Sequence, residues 1–439
     1  MATLVFPDEL SSLLATYNVA GVTLAVLKPD GHGDAYIATQ AAGTAIKGPP
    51  AEPVYDSTHF QICSLSKPIG AVYALDYFAK AGISMDTSVN SLLAKTSSTF
   101  RFRAAEGCPS AWGDEVTLKH LIDHTGPQMH YVNGVPRSDA FPPALALISG
   151  SKAKPAPYNY APLEVNKKPG TIFGYSGGGF IVLQHLLELR EGKPVSELFD
   201  EHLRKCGTGC YHGLSFAHEV ANKPHAHGYR EDGSEVAGGR LNFPPLAAGA
   251  IGSAAGLADW LRVLAVAYNR PDGCGAISQD TARKVLENRP DLGSEAFMRS
   301  RMGLGMFVFD VASDEPGAPN RWMLHQAAND GFRGVLLVCF DGPDARRGPR
   351  GLVVFANGDN NAMLLVAATM RALLSSKVAF DPPLQGLDFG RVPSMEGGFR
   401  TDGLKQEEIV NLGIKDLVLG AFLRSDAGTA EPDSKRMRK

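Results

Sequence analysis

The first chemical signal in this chain is Ser64-Leu65-Ser66-Lys67, placed where an extended run over 59–62 gives way to a helix expected to start near Lys67. A serine in the first turn of a helix has an unpaired backbone N–H, and the helix dipole favours negative charge developing on its oxygen. A lysine three residues on shares that helix face and can take or share the hydroxyl proton if burial lowers its ammonium pKa. The pair would make an activated nucleophile. Spacing alone does not select it, because Ser151-Lys152-Ala153-Lys154 has the same pattern, followed by Pro155 in an irregular stretch where no helix can support it.

The second signal is Gly174-Tyr175-Ser176-Gly177-Gly178-Gly179-Phe180, just before a helix. It admits three readings. The glycines can serve a tight turn or close packing. Alternatively, Ser176 is the nucleophile of a Gly-x-Ser-x-Gly elbow, between a strand over 171–173 and the helix, although that fold needs alternating β and α units ahead of it and 64–170 reads as helices and loops. In the third reading Tyr175 is the functional group, a phenol able to act as a base if nearby cations lower its pKa.

The third signal is Leu324-His325-Gln326-Ala327-Ala328-Asn329-Asp330-Gly331-Phe332, between two β-type runs. A strand edge can donate an N–H to an oxyanion. His325 can tune a neighbouring Tyr or Lys or hydrogen-bond a substrate; the plain alternative is a structural histidine at a strand end.

Metal-ligand patterns are weaker. His120 and His124 are four apart on an expected helix and His225-Ala226-His227 adds a pair, but no Glu follows His120 as a zincin site requires. Cys206 and Cys210 with His212 have no matching second pair. The expectation is no metal and no cofactor.

The elements that must position these groups fall into three zones. A helix over 9–17 precedes a hairpin of strands 22–27 and 35–39, turned at Pro29-Asp30-Gly31. Helical periodicity follows over 71–81, 118–123, 180–190, 256–268 and 279–286. Short β-type runs over 304–309, 322–324, 335–340 and 352–355 then precede a helix over 362–374. Strands at both ends with helices between imply an α+β fold: an antiparallel sheet built from N- and C-terminal segments and flanked by helices, plus a mostly α-helical lobe, with a cleft between. The expected boundaries are a single catalytic domain over 1–424, its sheet part at about 1–63 and 290–424 and its helical lobe at about 64–289, then a disordered tail over 425–439. Two long irregular stretches, 96–113 and 127–170, interrupt the helical zone, the second with eight prolines. Loops of that length tend to be functional, and Tyr131, Phe141, Tyr158 and Tyr160 can wall a pocket or pack the loop down.

Composition sets the outer limits. The 439 residues are 44% hydrophobic and 20% charged, with net charge −3, so a sizeable core forms and there is no basic surplus to bind nucleic acid or an anionic membrane. The most apolar runs fall short of the roughly 18 residues of a membrane span. The acidic first turn, with Asp8 and Glu9 and no basic residue up to Leu14, is unlike a secretory signal. The expected location is therefore cytoplasmic, with the six cysteines as free thiols.

Together and in this order, the three sites resemble the serine β-lactamase and penicillin-recognising superfamily, in its class C-like branch of esterases, D-amino acid peptidases and acyltransferases. Ser-x-x-Lys with two further elements marks such enzymes. Similar stretches include Phe60-Gln61-Ile62-Cys63 ahead of Ser64, Asp86, the run from Thr117 to Thr125, Gly252 to Trp260, Gly303-Leu304-Gly305, and Asn357-Gly358-Asp359-Asn360. The resemblance runs from about Gly21 to Leu374. It implies a β-lactamase/transpeptidase-like fold, Ser64 as the acylated nucleophile, and Lys67 and Tyr175 as the proton-handling pair. His325 would stand for the lysine of the Lys-Thr-Gly strand motif, and the N–H groups of Ser64 and Ala328 would be the oxyanion donors, with Gly177, Ala327 and Asn329 lining the substrate site.

Two departures narrow the substrate. Tyr-x-Asn is here Tyr175-Ser176-Gly177, so the amide that holds a substrate carbonyl is missing, a loss of about 1 kcal/mol. His325-Gln326-Ala327 lacks both the lysine charge and the glycine of the strand motif, which weakens recognition of a β-lactam carboxylate. The expected activity is hydrolysis of a small ester or amide through acyl-Ser64. An acyltransferase using the same acyl-enzyme, a D-amino acid peptidase or weak β-lactamase, and a non-catalytic scaffold are the alternatives. The expected partner is a small-molecule acyl substrate.

Overall fold

The computed structural model describes residues 2–3, 7–128, 130–150, 161–220, 222–287, 300–377 and 379–380. The expected tail over 425–439, the repeat of the Ser-Lys pattern at Ser151 and the aromatics Tyr158 and Tyr160 lie outside these residues.

Among the described residues, the main sheet has nine strands. Its path runs Ala2–Thr3, Ala35–Ile46, Gly21–Pro29, Arg350–Ala356, Phe332–Asp341, Asn320–Asn329, Phe307–Val311, Arg301–Met302, and Glu52–Pro53 pairs with Ala35–Ile46 off that path. All pairings are antiparallel except that of Ala2–Thr3. The N-terminal hairpin joins the C-terminal strands through Gly21–Pro29 and Arg350–Ala356, with Leu24 opposite Val354. This is the expected α+β architecture, and it excludes the parallel β-α-β frame that an elbow at Ser176 requires.

Both sheet faces are covered. Leu24, Val26, Leu352 and Val354 point to one side, where they pack with apolar residues of the helices Pro7–Tyr17 and Asn360–Ser375. Alternate residues Ala25, Leu27, Val353 and Phe355 point to the other side, into a core shared with the helices Ser66–Lys80, Gly177–Glu191 and Ala254–Asn269. The period of two along each strand therefore splits one sheet between two apolar layers.

The structure lengthens several expected elements. The run expected over 322–324 is the strand Asn320–Asn329, extended past its strong β-formers because Phe332–Asp341 folds back on it through Asp330-Gly331, setting Asn329 opposite Phe332. His325 is therefore inside a strand and not at its end. The run expected over 304–309 starts later, as Phe307–Val311, because Gly305 turns at φ 91°. No strand forms at 171–173. The helix Val195–Cys206, which buries Leu198, Phe199 and Leu203, was not expected. Within 127–170 the described chain holds a short helix, Ala144–Ile148, and a strand, Val135–Pro136, paired with Leu241–Asn242.

Candidate active site

Ser64 sits in a one-turn 3-10 helix, Cys63–Leu65, between the strand Phe60–Gln61 and the helix Ser66–Lys80. The turn is held from several sides. Ile62 N–H donates to Ala250 O at 3.0 Å; Ser66 Oγ donates to Cys63 O at 2.6 Å and accepts from Ala250 N–H at 3.1 Å. Cys63 has φ 51°, a left-handed conformation that is costly for a residue with a Cβ and that clusters at functional sites. Ser66 is thus the clamp of the motif and Ser64 its half-buried, accessible hydroxyl.

Helical spacing brings Lys67 back over Ser64. Lys67 Nζ donates to Ser64 Oγ at 3.0 Å and to Ala247 O at 2.6 Å. The side chain is only 2% exposed, and desolvation brings its ammonium down from 10.5 to about 7. Among the causes of that shift no carboxylate partner figures. Lys67 Nζ also lies 4.8 Å from the centre of the Tyr175 ring and 5.8 Å from that of Phe180.

Tyr175 reaches the same point from the loop ahead of the helix Gly177–Glu191. Its hydroxyl shares a hydrogen bond with that of Ser64, but burial, reinforced by Tyr131, pushes the phenol well above its ordinary value. The condition for a phenolate base is therefore not met, and Tyr175 stands at Ser64 as a neutral phenol. Its ring stacks with Tyr131 at 6.2 Å and Phe307 at 6.5 Å. Tyr131 is 44% exposed and Ile172 57%, so the loops that carry Tyr175 and its neighbour present apolar surface.

His325 enters from the strand Asn320–Asn329, which packs against the Ser64 turn. The next strand, Phe307–Val311, meets this one only at residues 320–324, which leaves the edge of 325–329 free of that partner. His325 is fully buried, 5.3 Å from Phe307 and 6.2 Å from Tyr175 between ring centres. Burial and the Lys67 charge bring it down to about 3, so the imidazole is neutral and does not restore the charge of a strand lysine. Its Nδ1 lies 2.9 Å from Gln326 N and 3.0 Å from Gln326 O, and its buried Nε2 has no hydrogen-bond partner among the described residues. Ala327 is buried, and Ala328 is half-buried on the same segment. Asn329 Nδ2 donates to Ala248 O at 3.0 Å and Gln61 Oε1 at 3.3 Å, tying the strand to the Ser64 segment. The turn beyond is anchored by Asp359, which accepts from Gly331 N–H at 2.7 Å and pairs with Arg333 at 3.4 Å.

The structure does not bring Ser176 into this group as a nucleophile. Its backbone is extended, at φ −141° and ψ 123°, without the strain of an elbow, and its hydroxyl donates to Gln128 O at 2.8 Å. The glycines that follow serve close packing: a Cβ on Gly179 would fall 2.8 Å from Leu121 O, and one on Gly178 2.7 Å from Leu163 Cδ1. Gly177 N–H donates to His130 O at 3.0 Å, and a Cβ there would lie 3.1 Å from that oxygen. Backbone from the 127–170 stretch therefore borders the place where the missing amide would begin.

The histidines weighed as metal ligands have other partners. His120 closes the N-terminus of its own helix, accepting from Thr117 N–H at 3.2 Å. His225 Nε2 is 3.0 Å from Val220 O, and His227 Nδ1 is 3.2 Å from Glu235. Cys210 donates to Asp259 at 3.4 Å, and Cys206 lies 3.5 Å from His202 Nε2. Sequence reasoning missed two site residues. His124 packs on Tyr175 at 4.3 Å between ring centres. Lys167 Nζ lies 2.2 Å from where a Cβ on Gly174 would sit, and burial lowers its ammonium to about 8 against the pull of Asp123. The Lys167-Lys168 pair had no spacing signal, whereas a glycine directly before Tyr175 hinted that something approaches there.

Comparison with known proteins supports the same frame. The family model described as Beta-lactamase matches residues 7–376. No curated protein matches. Among solved structures, a class C beta-lactamase is 19% identical, with TM-score 0.59, over 84% of this chain and 95% of its own. The octameric penicillin-binding protein homologue from Pyrococcus abyssi is 19% identical, with TM-score 0.59, over 87% of this chain and 79% of its own. D-alanine carboxypeptidase AmpC from Burkholderia cenocepacia is 18% identical, with TM-score 0.53, over 82% and 96%. At these identities the structures speak for the fold, and the family model, which spans most of the sequence, speaks for descent: the chain belongs to the Beta-lactamase family of serine hydrolases.

Proposed function

We propose that this protein hydrolyses a small, uncharged ester or amide through an acyl-Ser64 intermediate. The observation that carries the reading is the 3.0 Å contact of Lys67 Nζ with Ser64 Oγ, made by an amine that burial brings to about 7. As the free amine, Lys67 accepts the Ser64 proton while Oγ attacks the acyl carbonyl carbon. Backbone N–H groups of Ser64 and Ala328 take the developing oxyanion. The bond from the acyl carbon to the leaving oxygen or nitrogen then breaks, and that atom receives the proton held by Lys67, relayed through the neutral Tyr175 hydroxyl. Water enters by the reverse path, attacks the acyl carbon and releases the acid. An alcohol or amine in place of water would make the same intermediate a transfer reaction.

The direction of pH dependence follows from Lys67. Its basic form is populated above about 7, so kcat/KM for p-nitrophenyl butyrate is expected to rise with pH through that value and level off above it. Because His325 is held at about 3, no second step from its titration is expected between pH 5 and 9. A limb near pH 5, or none, would contradict the assignment of Lys67 as the base.

Substrate choice follows from what is missing. With no amide at Gly177 and a neutral His325, turnover of p-nitrophenyl acetate or butyrate is expected to exceed that of nitrocefin and of D-alanine p-nitroanilide by about 100-fold or more, the equivalent of one lost neutral and one lost charge-assisted contact. Faster nitrocefin turnover would overturn this substrate class. Restoring the amide is not expected to reverse it. Gly177→Asn pushes a side chain against His130 O and should cost about 1–3 kcal/mol, read as a lowered melting temperature without gain of nitrocefin hydrolysis. Unchanged melting with strong nitrocefin turnover would show that the site accepts the amide.

A further inference from the structure

We propose that His124 is a positioning residue that holds the Tyr175 phenol at Ser64. The inference rests on the acyl-Ser64 reading and assigns the precision of that site to a residue outside its proton path. His124 grips the tyrosine from both sides along the chain: its carbonyl accepts from Gly174 N–H at 2.8 Å, and its Nδ1 accepts from Ser176 N–H at 3.1 Å. Between these two anchors its ring lies against the Tyr175 ring, 4.3 Å centre to centre and tilted by 33°. Phe180 and Phe173 close on the imidazole at 5.6 and 5.9 Å. With its carbonyl bonded to the residue before, its imidazole bonded to the residue after and its ring against the residue between, His124 leaves Tyr175 little freedom of translation or rotation.

Two further features set His124 apart from a packing residue. Its backbone is left-handed, at φ 59°, a strained conformation that the surroundings must enforce. The enforcement is visible next door, where Asp123 Oδ1 accepts from both the amide and the hydroxyl of Thr125, at 3.2 and 2.5 Å. In addition, Nδ1 accepts a hydrogen bond, so the ring proton is on Nε2, and among the described residues that buried donor has no hydrogen-bond partner. Packing alone would be met by an apolar ring without that orphaned donor.

The proposal separates two contributions that can be removed one at a time. His124→Asn keeps an acceptor near the Nδ1 position and tolerates the left-handed backbone, but it removes the plate beneath Tyr175. His124→Phe keeps the plate and removes the acceptor for Ser176. Misplacement of a reacting group by about 1 Å costs on the order of 100-fold, so each variant is expected to lower kcat and the burst rate of acylation by p-nitrophenyl butyrate by about 10- to 100-fold. KM should move by less than about threefold, since the phenol is displaced and the binding surface is kept. Each rate is divided by the folded fraction from circular dichroism. If either variant instead acylates at the wild-type rate per folded molecule, His124 is structural and the proposal fails while the acyl-enzyme reading stands. Wild-type protein that never gains acyl mass on Ser64 overturns both.

Discussion

Ser64→Ala is expected to abolish ester turnover, with kcat/KM lower by about ten-thousand-fold or more, as happens when the nucleophile of an acyl-enzyme mechanism is removed. The expectation comes from the position of the hydroxyl. It is the half-buried group at which the Lys67 amine, the Tyr175 phenol and the strand carrying His325 converge, and the surrounding clamps are made by Ser66, Ile62 and Ala250 rather than by Ser64 itself. Removing Oγ therefore takes away the nucleophile and leaves the turn intact, so the melting temperature should stay within a few degrees of wild type. Ser176→Ala is the matched control. It removes a hydrogen bond to Gln128 O and should lower stability by about 1 kcal/mol while retaining most activity. Steady-state kinetics on both purified variants decide the matter; loss in Ser176→Ala with activity kept in Ser64→Ala would place the nucleophile in the wrong motif.

Lys67→Met is the second large effect, and it is expected to separate activity from stability. Without the base, turnover should fall by about 10³-fold, within the usual range for general base catalysis. Stability should move the other way. Lys67 has a folded-state pKa of about 7 against an ordinary 10.5, so between those values the unfolded chain binds the extra proton. Stability linked to this residue therefore rises with pH across that window, by at most about 1.4 kcal/mol per pH unit, and the same depression records a cost of keeping an ammonium in the core. Methionine fills similar space without that cost. The variant is expected to melt no lower than wild type at pH 7 and to lose part of the rise in stability between pH 7 and 10. A sharply lower melting temperature would mean that the bond to Ala247 O matters more to the fold than the buried charge does.

The parts of this site that were legible in the sequence are those whose geometry is local. Three residues along a helix bring Lys67 to Ser64 whatever the rest of the chain does, and a glycine-rich junction before a helix marks Tyr175 as a candidate. The sheet could be assembled because its strands are rich in Val, Leu and Phe. What stayed hidden depends on tertiary partners. Ala327 and Ala328 have little β-propensity of their own and are in a strand because Phe332–Asp341 pairs with them, although Asp330-Gly331 was a turn signal that pointed that way. How completely the Tyr175 phenol is desolvated, and so that it is pushed above its ordinary value, was not legible in the sequence. His124 was visible as half of a pair with His120 and inside the run from Thr117 to Thr125, neither of which gave it a role at Tyr175, and the helix cap made by His120 breaks that pair apart. Glycines 177 to 179 look like one motif, yet the first meets the His130 carbonyl, the second Leu163 and the third the Leu121 backbone.

The central claim is that Ser64 is acylated. The most direct measurement is intact-mass and peptide mass spectrometry of the protein quenched in acid within seconds of mixing with p-nitrophenyl butyrate. The account predicts a butyryl adduct on the peptide containing Ser64 that decays as substrate is consumed, is absent in Ser64→Ala and persists in Ser176→Ala. An adduct on the peptide containing Ser176, or ester hydrolysis with no adduct under any quench, would contradict it.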